Sequence, residues 1–163
     1  MTRWLDETEQ QAWRSFLAAS QLLLDTLDRE LQRTAGIPHA YYEILVRLSE
    51  APGRTLRMSE LAEASLSSRS RLSHAVARLE ELGWVRREPC PSDKRGAFAI
   101  LTDEGFAFLE SAAPKHVEGV RHHLFDQLTP EQVDRLREIS DAVLRHLVKE
   151  GVKLPPDFSA PTN

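Results

Sequence analysis

Hydrophobic and polar positions along the chain keep a helical period except over one stretch. From Asp6 to Thr34, apolar residues at Trp13, Phe16, Leu17, Leu23, Leu24, Leu27 and Leu31 recur close to every 3.6 residues, predicting a long amphipathic helix that ends near Gly36. Pro38 suits the first turn of a second helix, with Tyr41, Tyr42, Ile44, Leu45 and Leu48 on its buried face and Ala51-Pro52-Gly53 closing it. A short third helix starts at Met58 or Ser59. A fourth follows Ser67, a good N-cap, and carries Leu72, Ala75, Val76, Leu79 and Leu82 up to a terminating Gly83.

The pattern then shifts to strands. Trp84 to Glu88 and Ala97 to Leu101 read as a hairpin, separated by the turn-rich Pro89-Cys90-Pro91-Ser92-Asp93-Lys94-Arg95-Gly96, a long basic tip. Thr102 caps a fifth helix bearing Phe106, Leu109, Val117, Val120 and Leu124, and Pro114 inside it predicts a kink or break and a candidate hinge. Thr129-Pro130-Glu131-Gln132 starts a sixth helix with Val133, Leu136, Ile139, Val143, Leu144 and Leu147. Residues 151–163, with Pro155, Pro156 and Pro161, have little to bury and read as a flexible tail.

Composition narrows the function. At 163 residues the chain holds one domain or two small lobes sharing a core, and its single cysteine, Cys90, forms no internal disulfide, which fits a reducing, cytoplasmic setting. The longest stretch without a charge, Ser15 to Leu24, is too short to span a bilayer, and the acidic N-terminus lacks the features of a signal peptide. Neither a Gly-x-Ser-x-Gly elbow, a phosphate-binding glycine loop nor a His-Glu-x-x-His pair is present, so no catalytic set assembles. His116, His122 and His123 lack metal-ligand spacing, and His39, His74 and His146 lie in other elements; no metal and no cofactor is expected.

Charge changes the picture. The net of −4 hides a window from Ser67 to Gly96 with seven basic and four acidic residues, net +3, against −7 elsewhere. Short helices, then a basic helix and a basic hairpin, follow a winged helix-turn-helix order. A helix fits the major groove, where base edges differ, and a thin hairpin reaches the adjacent minor groove. Ser67, Ser68, Arg69, Ser70, Arg71, Ser73, His74 and Arg78 supply hydrogen bonds for bases and phosphates, with Lys94 and Arg95 on the hairpin. A solvated charged face is the alternative; agreement of charge, element order and hairpin chemistry selects double-stranded DNA. The acidic remainder would repel DNA from the other faces.

Three segments also resemble the MarR (multiple antibiotic resistance regulator) transcription factors: Met58-Ser59-Glu60-Leu61-Ala62, Arg78-Leu79-Glu80-Glu81-Leu82-Gly83-Trp84-Val85, and Asp93-Lys94-Arg95-Gly96-Ala97-Phe98-Ala99-Ile100-Leu101-Thr102-Asp103-Glu104-Gly105. The last is similar to that family's wing signature, and the likeness extends from about Leu5 to Glu150. It implies that Arg95 enters the minor groove, oriented by a salt bridge to Asp93. It implies a homodimer, with the first, fifth and sixth helices interleaved between subunits, on a pseudo-palindromic operator, and a repressor in the bacterial or archaeal cytosol, associated with the nucleoid. The expected fold is mainly α with a small β-hairpin wing: residues 1–37 and 103–150 form a helical dimerisation lobe and 38–102 a winged helix-turn-helix lobe. Ser65 stands where the family commonly has glycine, a strained choice if the turn needs positive φ.

The resemblance further implies release by a small aromatic or phenolic ligand, for which Trp13, Arg14, Phe16, His39, Tyr42 and Leu45 are the candidate residues. Plain packing at a helix junction is the competing reading for each of them. Two other functions remain open at this point: a winged-helix protein-interaction module, and a redox-responsive regulator using Cys90, whose basic neighbours would favour the thiolate.

Overall fold

The computed structural model describes residues 1–65 and 68–152, and most of its helices begin where side chains satisfy the free N–H groups of a first turn. Asp6 accepts the Glu9 N–H (2.8 Å) and Glu9 the Asp6 N–H (2.9 Å), which starts α1 (Glu7–Ala35); Gly36, at φ 75°, ends it. Helix α2 (His39–Glu50) follows Pro38, and Asp28 of α1 accepts the His39 N–H at 2.7 Å, tying the two helices. After β1 (Thr55–Arg57) come α3 (Met58–Ala64) and α4 (Arg69–Glu81). Strands β2 (Val85–Cys90) and β3 (Asp93–Leu101) lead to α5 (Asp103–His123), and α6 (Pro130–Lys149) opens on the Thr129–Gln132 capping box.

The architecture is mainly helical with a small antiparallel sheet of order β1-β3-β2. The core sits under the winged elements, where Leu45, Leu48, Leu61, Leu72, Val76 and Leu79 are completely buried. Leu31 of α1 and Leu109 and Ala112 of α5 join the same cluster. At about 25 cal/mol per Å² of apolar surface, each of these leucines contributes roughly 2 kcal/mol by burial.

Several expectations change in detail. The wing pairs almost to its end: β2 and β3 are joined by Pro91 and Ser92 alone, not by an eight-residue tip. Cys90 pairs with Asp93 and Pro89 with Ala97, so Lys94, Arg95 and Gly96 bulge from β3. Strand β1 went unpredicted because three residues are too few to show alternation. Ser68, accepting the Arg71 N–H, caps α4; Ser67 lies outside the described residues, as does the tail from residue 153. Helix α5 continues unbroken through Pro114, whose ring faces solvent together with Glu110, leaving the orphaned carbonyl beside water. Ser65 sits at φ −84°, so the turn before α4 needs no glycine there.

The base of the wing is stitched to α5 around Thr102, and Trp84 stacks on Phe108 of that helix with ring centres 3.8 Å apart. Thr102 donates its backbone N–H to the Trp84 carbonyl (3.0 Å) and its hydroxyl to the Gly83 carbonyl (2.7 Å), while its Oγ1 accepts the Gly105 N–H (3.0 Å). Gly105 is buried against this junction, and a Cβ there would lie 2.2 Å from the Trp84 oxygen. Arg54 adds another tie, its guanidinium 3.8 Å above the Phe106 ring and 3.1 Å from Asp103.

Two apolar surfaces find no cover among the described residues. Helix α6 buries none of its residues, and Leu136, Ile139, Val143 and Leu147, at helical spacing, are 37, 63, 54 and 39% exposed. On α1 the buried residues are Leu27 and Leu31, near its C-terminal end, while Trp13, Phe16 and Leu24 are more than half exposed. No described helix is long and apolar enough to cross a membrane.

Candidate nucleic-acid interface

Helix α4 buries Leu72, Ala75, Val76 and Leu79, and this stripe dictates what the rest of the helix shows. Ser68, Arg69, Ser70, Arg71, Ser73, His74 and Arg78 are all exposed. The structure divides them between two flanks. Arg69 and Ser73 face the wing across an open groove of about 520 Å³, whose walls also include Arg57, Arg87, Asp93 and Arg95. Ser70, Arg71 and His74 line a second groove of about 530 Å³ on the α2 side, with Tyr41 and Glu43. Arg78 pairs with Glu81 near the end of the helix.

The wing tip owes its shape to Asp93. Its carboxylate accepts the Arg95 backbone N–H at 3.0 Å and so shapes the bulge, and among the described residues no ion pair joins the two side chains. The expected salt bridge is therefore replaced by a backbone contact, because Asp93 lies two residues before Arg95, the reach of an Asx turn. Lys94 and Arg95 are both exposed on the bulge.

Three residues outside the sequence-derived set complete the face. Arg57, at the end of β1, reaches Ser92 at the turn (3.3 Å) and lies 5.6 Å over the Phe98 ring. Glu80 of α4 accepts both the backbone N–H (2.9 Å) and the Nε–H (2.7 Å) of Arg87 on β2, and another guanidinium nitrogen lies 2.6 Å from the same carboxylate. Arg87 also approaches the Ser73 hydroxyl at 3.5 Å. The sequence held one signal for this arrangement: Ser73 and Glu80 are seven residues apart and share a helix face. Arg86 pairs with Glu88 along its own strand.

Cys90 is 5% exposed, and the neighbouring Ser92 hydroxyl, 3.3 Å from its sulfur, lowers its pKa; the Arg57 charge adds to this.

The six candidate ligand residues do not gather into one site within the chain. Trp13 and Phe16 stack on each other, ring centres 6.3 Å apart, on the exposed part of α1, which also carries Arg14. Leu45 is a core residue. His39 and Tyr42 do meet, at 6.4 Å, and both pack on His116 of α5 (5.2 and 4.8 Å). Burial and the nearby His39 lower the His116 pKa, and burial raises that of Tyr42. A separate cleft of about 430 Å³ lies between α1 and α5, where Glu30 bonds His123 at 2.8 Å and its pKa is lowered chiefly by that bond. Among the described residues no group of three or more His, Cys, Asp or Glu side chains is arranged to hold a metal ion.

Comparison with known proteins places this geometry. Residues 35–96 match the MarR family profile. Over 90 residues the chain is 36% identical to the HTH-type transcriptional regulator PecS of Dickeya dadantii, covering 55% of this chain and 54% of PecS, so it spans about half of that relative. Sco3205, a MarR family transcriptional regulator from Streptomyces coelicolor solved in complex with DNA, is 58% identical, with a TM-score of 0.87 over 95% of this chain and 97% of its own. AbsC, a MarR family regulator of the same organism, is 46% identical, with a TM-score of 0.83 over 91% of this chain and 99% of its own. The chain is thus a transcriptional regulator and not an enzyme, and it belongs to the MarR family.

Proposed function

We propose that the chain acts as a homodimer that binds a pseudo-palindromic operator in double-stranded DNA and represses transcription. The observation that carries this is the groove where Arg69 and Ser73 of α4 face Arg95 of the wing. A helix edge and a hairpin tip with cations on both suit one major groove and the minor groove next to it. In this reading residues 38–102 are the DNA lobe. Residues 1–37 and 103–150 are the dimer lobe, because the uncovered stripes of α1 and α6 need a second copy to leave water.

Arg95→Ala is expected to weaken operator binding about tenfold, most at A·T-rich flanks, where a narrow minor groove attracts arginine. Changing Arg69 or Arg71 relaxes preference at particular base pairs instead. Binding isotherms on operators with substituted flanks check both, and normal affinity for Arg95→Ala removes the wing from the reading.

A response to aromatic acids belongs to the proposal through His39 and Tyr42, whose rings meet His116 at the junction of α2 and α5. A ligand there lowers operator affinity only by its preference for the non-binding geometry. Operator binding unchanged by a panel of aromatic acids removes this part.

A further inference from the structure

We propose that Glu80 and Arg87 form a positioning clasp that sets the span between the reading helix and the wing tip; this rests on the DNA reading above. Among the described residues theirs is the one ion pair joining α4 to the hairpin. To α4 the hairpin is otherwise tied at its base, where Val85 is buried and the Trp84 N–H bonds the Leu79 carbonyl, while on its other side β1 pairs with β3 from Phe98 to Ile100 and Arg57 reaches Ser92 at the turn. From Val85 to Cys90 the strand extends about 17 Å, so a swing of about 10° at the base moves the tip by about 3 Å. That is about half the width of a minor groove. Two backbone-and-side-chain bonds from a single carboxylate, placed two residues out from the base, resist that swing. The same contacts occupy the Arg87 guanidinium, which reaches Ser73 rather than standing free on the strand.

The clasp makes a prediction of unusual sign. Glu80 is an acid beside a DNA-facing groove, and if it were a bystander its neutralisation would tighten binding to a polyanion. As a positioning residue its neutralisation weakens binding. The test uses full-length protein and three variants, Glu80→Gln, Arg87→Ala and the double variant. Operator isotherms are measured across salt, with hydroxyl-radical footprints, and wing amide exchange is measured without DNA. Glu80→Gln is expected to bind about fivefold more weakly, to lose protection at the wing while keeping it at the reading helix, and to exchange β2 and β3 amides faster. Arg87→Ala adds little once Glu80 is already neutral. Equal or tighter binding by Glu80→Gln overturns the clasp and leaves DNA binding standing. So does an Arg87→Ala loss that is the same in both backgrounds with a salt slope lower by about 0.9, the mark of a direct phosphate contact. If the wild type binds no duplex, the DNA reading fails instead, and the exchange rates decide the clasp: faster supports it, unchanged overturns it.

Discussion

Ile139→Asp is expected to turn the protein into a monomer and to weaken operator binding by about 100-fold or more, the scale on which linking two half-site contacts acts. Ile139 is 63% exposed in the middle of the α6 stripe, flanked at helical spacing by Leu136 and Val143. An isolated helix of this kind gains nothing from an apolar face turned to water, and among the described residues nothing buries a residue of α6. A charge placed at the centre of a protomer contact opposes burial by several kcal/mol. The winged lobe keeps its own core, with Leu61, Leu72 and Leu79 fully buried, so the variant should stay folded there. Sedimentation together with operator titration checks the result, and a dimer of normal affinity contradicts the proposed role of α6.

Gly105→Ala is expected to destabilise the fold by about 3 kcal/mol. The added Cβ meets the Trp84 carbonyl oxygen at 2.2 Å and a Leu101 methyl at 2.8 Å. That carbonyl already accepts the Thr102 N–H, so it cannot retreat without breaking the junction between wing and α5. Against a total stability of roughly 5–15 kcal/mol the loss is large. Gly119 offers a contrast within the same helix. A Cβ there meets the movable end of the Glu30 side chain at 2.8 Å and a Leu27 methyl at 3.3 Å, so Gly119→Ala should cost much less. Urea unfolding of both variants measures the difference, and equal midpoints contradict the rigid-junction account.

The helices were legible because their limits are local chemistry. Asp6 with Glu9, Thr102 with Gly105, and Thr129 with Gln132 act across three residues, and Gly36 and Gly83 stop their helices with φ of 75° and 76°. The wing was legible as a hairpin but not in its register, since pairing Cys90 with Asp93 depends on a bulge that no alternation pattern announces. Arg87 was readable only as a charged strand residue, because its partner lies on another element and their meeting depends on how β2 leaves Gly83. The ligand candidates show the same limit from the other side. Trp13 and Phe16 share a helix face, yet within the chain that face is exposed and apart from the His39–Tyr42–His116 cluster.

The charge split had the most direct bearing on function. A net of −4 conceals seven basic residues between Ser67 and Gly96, and the structure spreads the described ones over α4 and the wing. Glu80, Glu81 and Glu88 each pair with an arginine of that window, so Arg69, Arg71, Lys94 and Arg95, offset only by Asp93, carry its net charge of +3.

The most direct test of the central claim, that α4 and the wing of two protomers read adjacent grooves, is a hydroxyl-radical footprint on the duplex selected most strongly from genomic fragments. The account predicts two symmetric protected regions about one helical turn apart, each with a major-groove contact and a neighbouring minor-groove contact, and loss of the latter in Arg95→Ala. A single unsymmetric patch, minor-groove protection unaffected by Arg95→Ala, or binding insensitive to salt would contradict it.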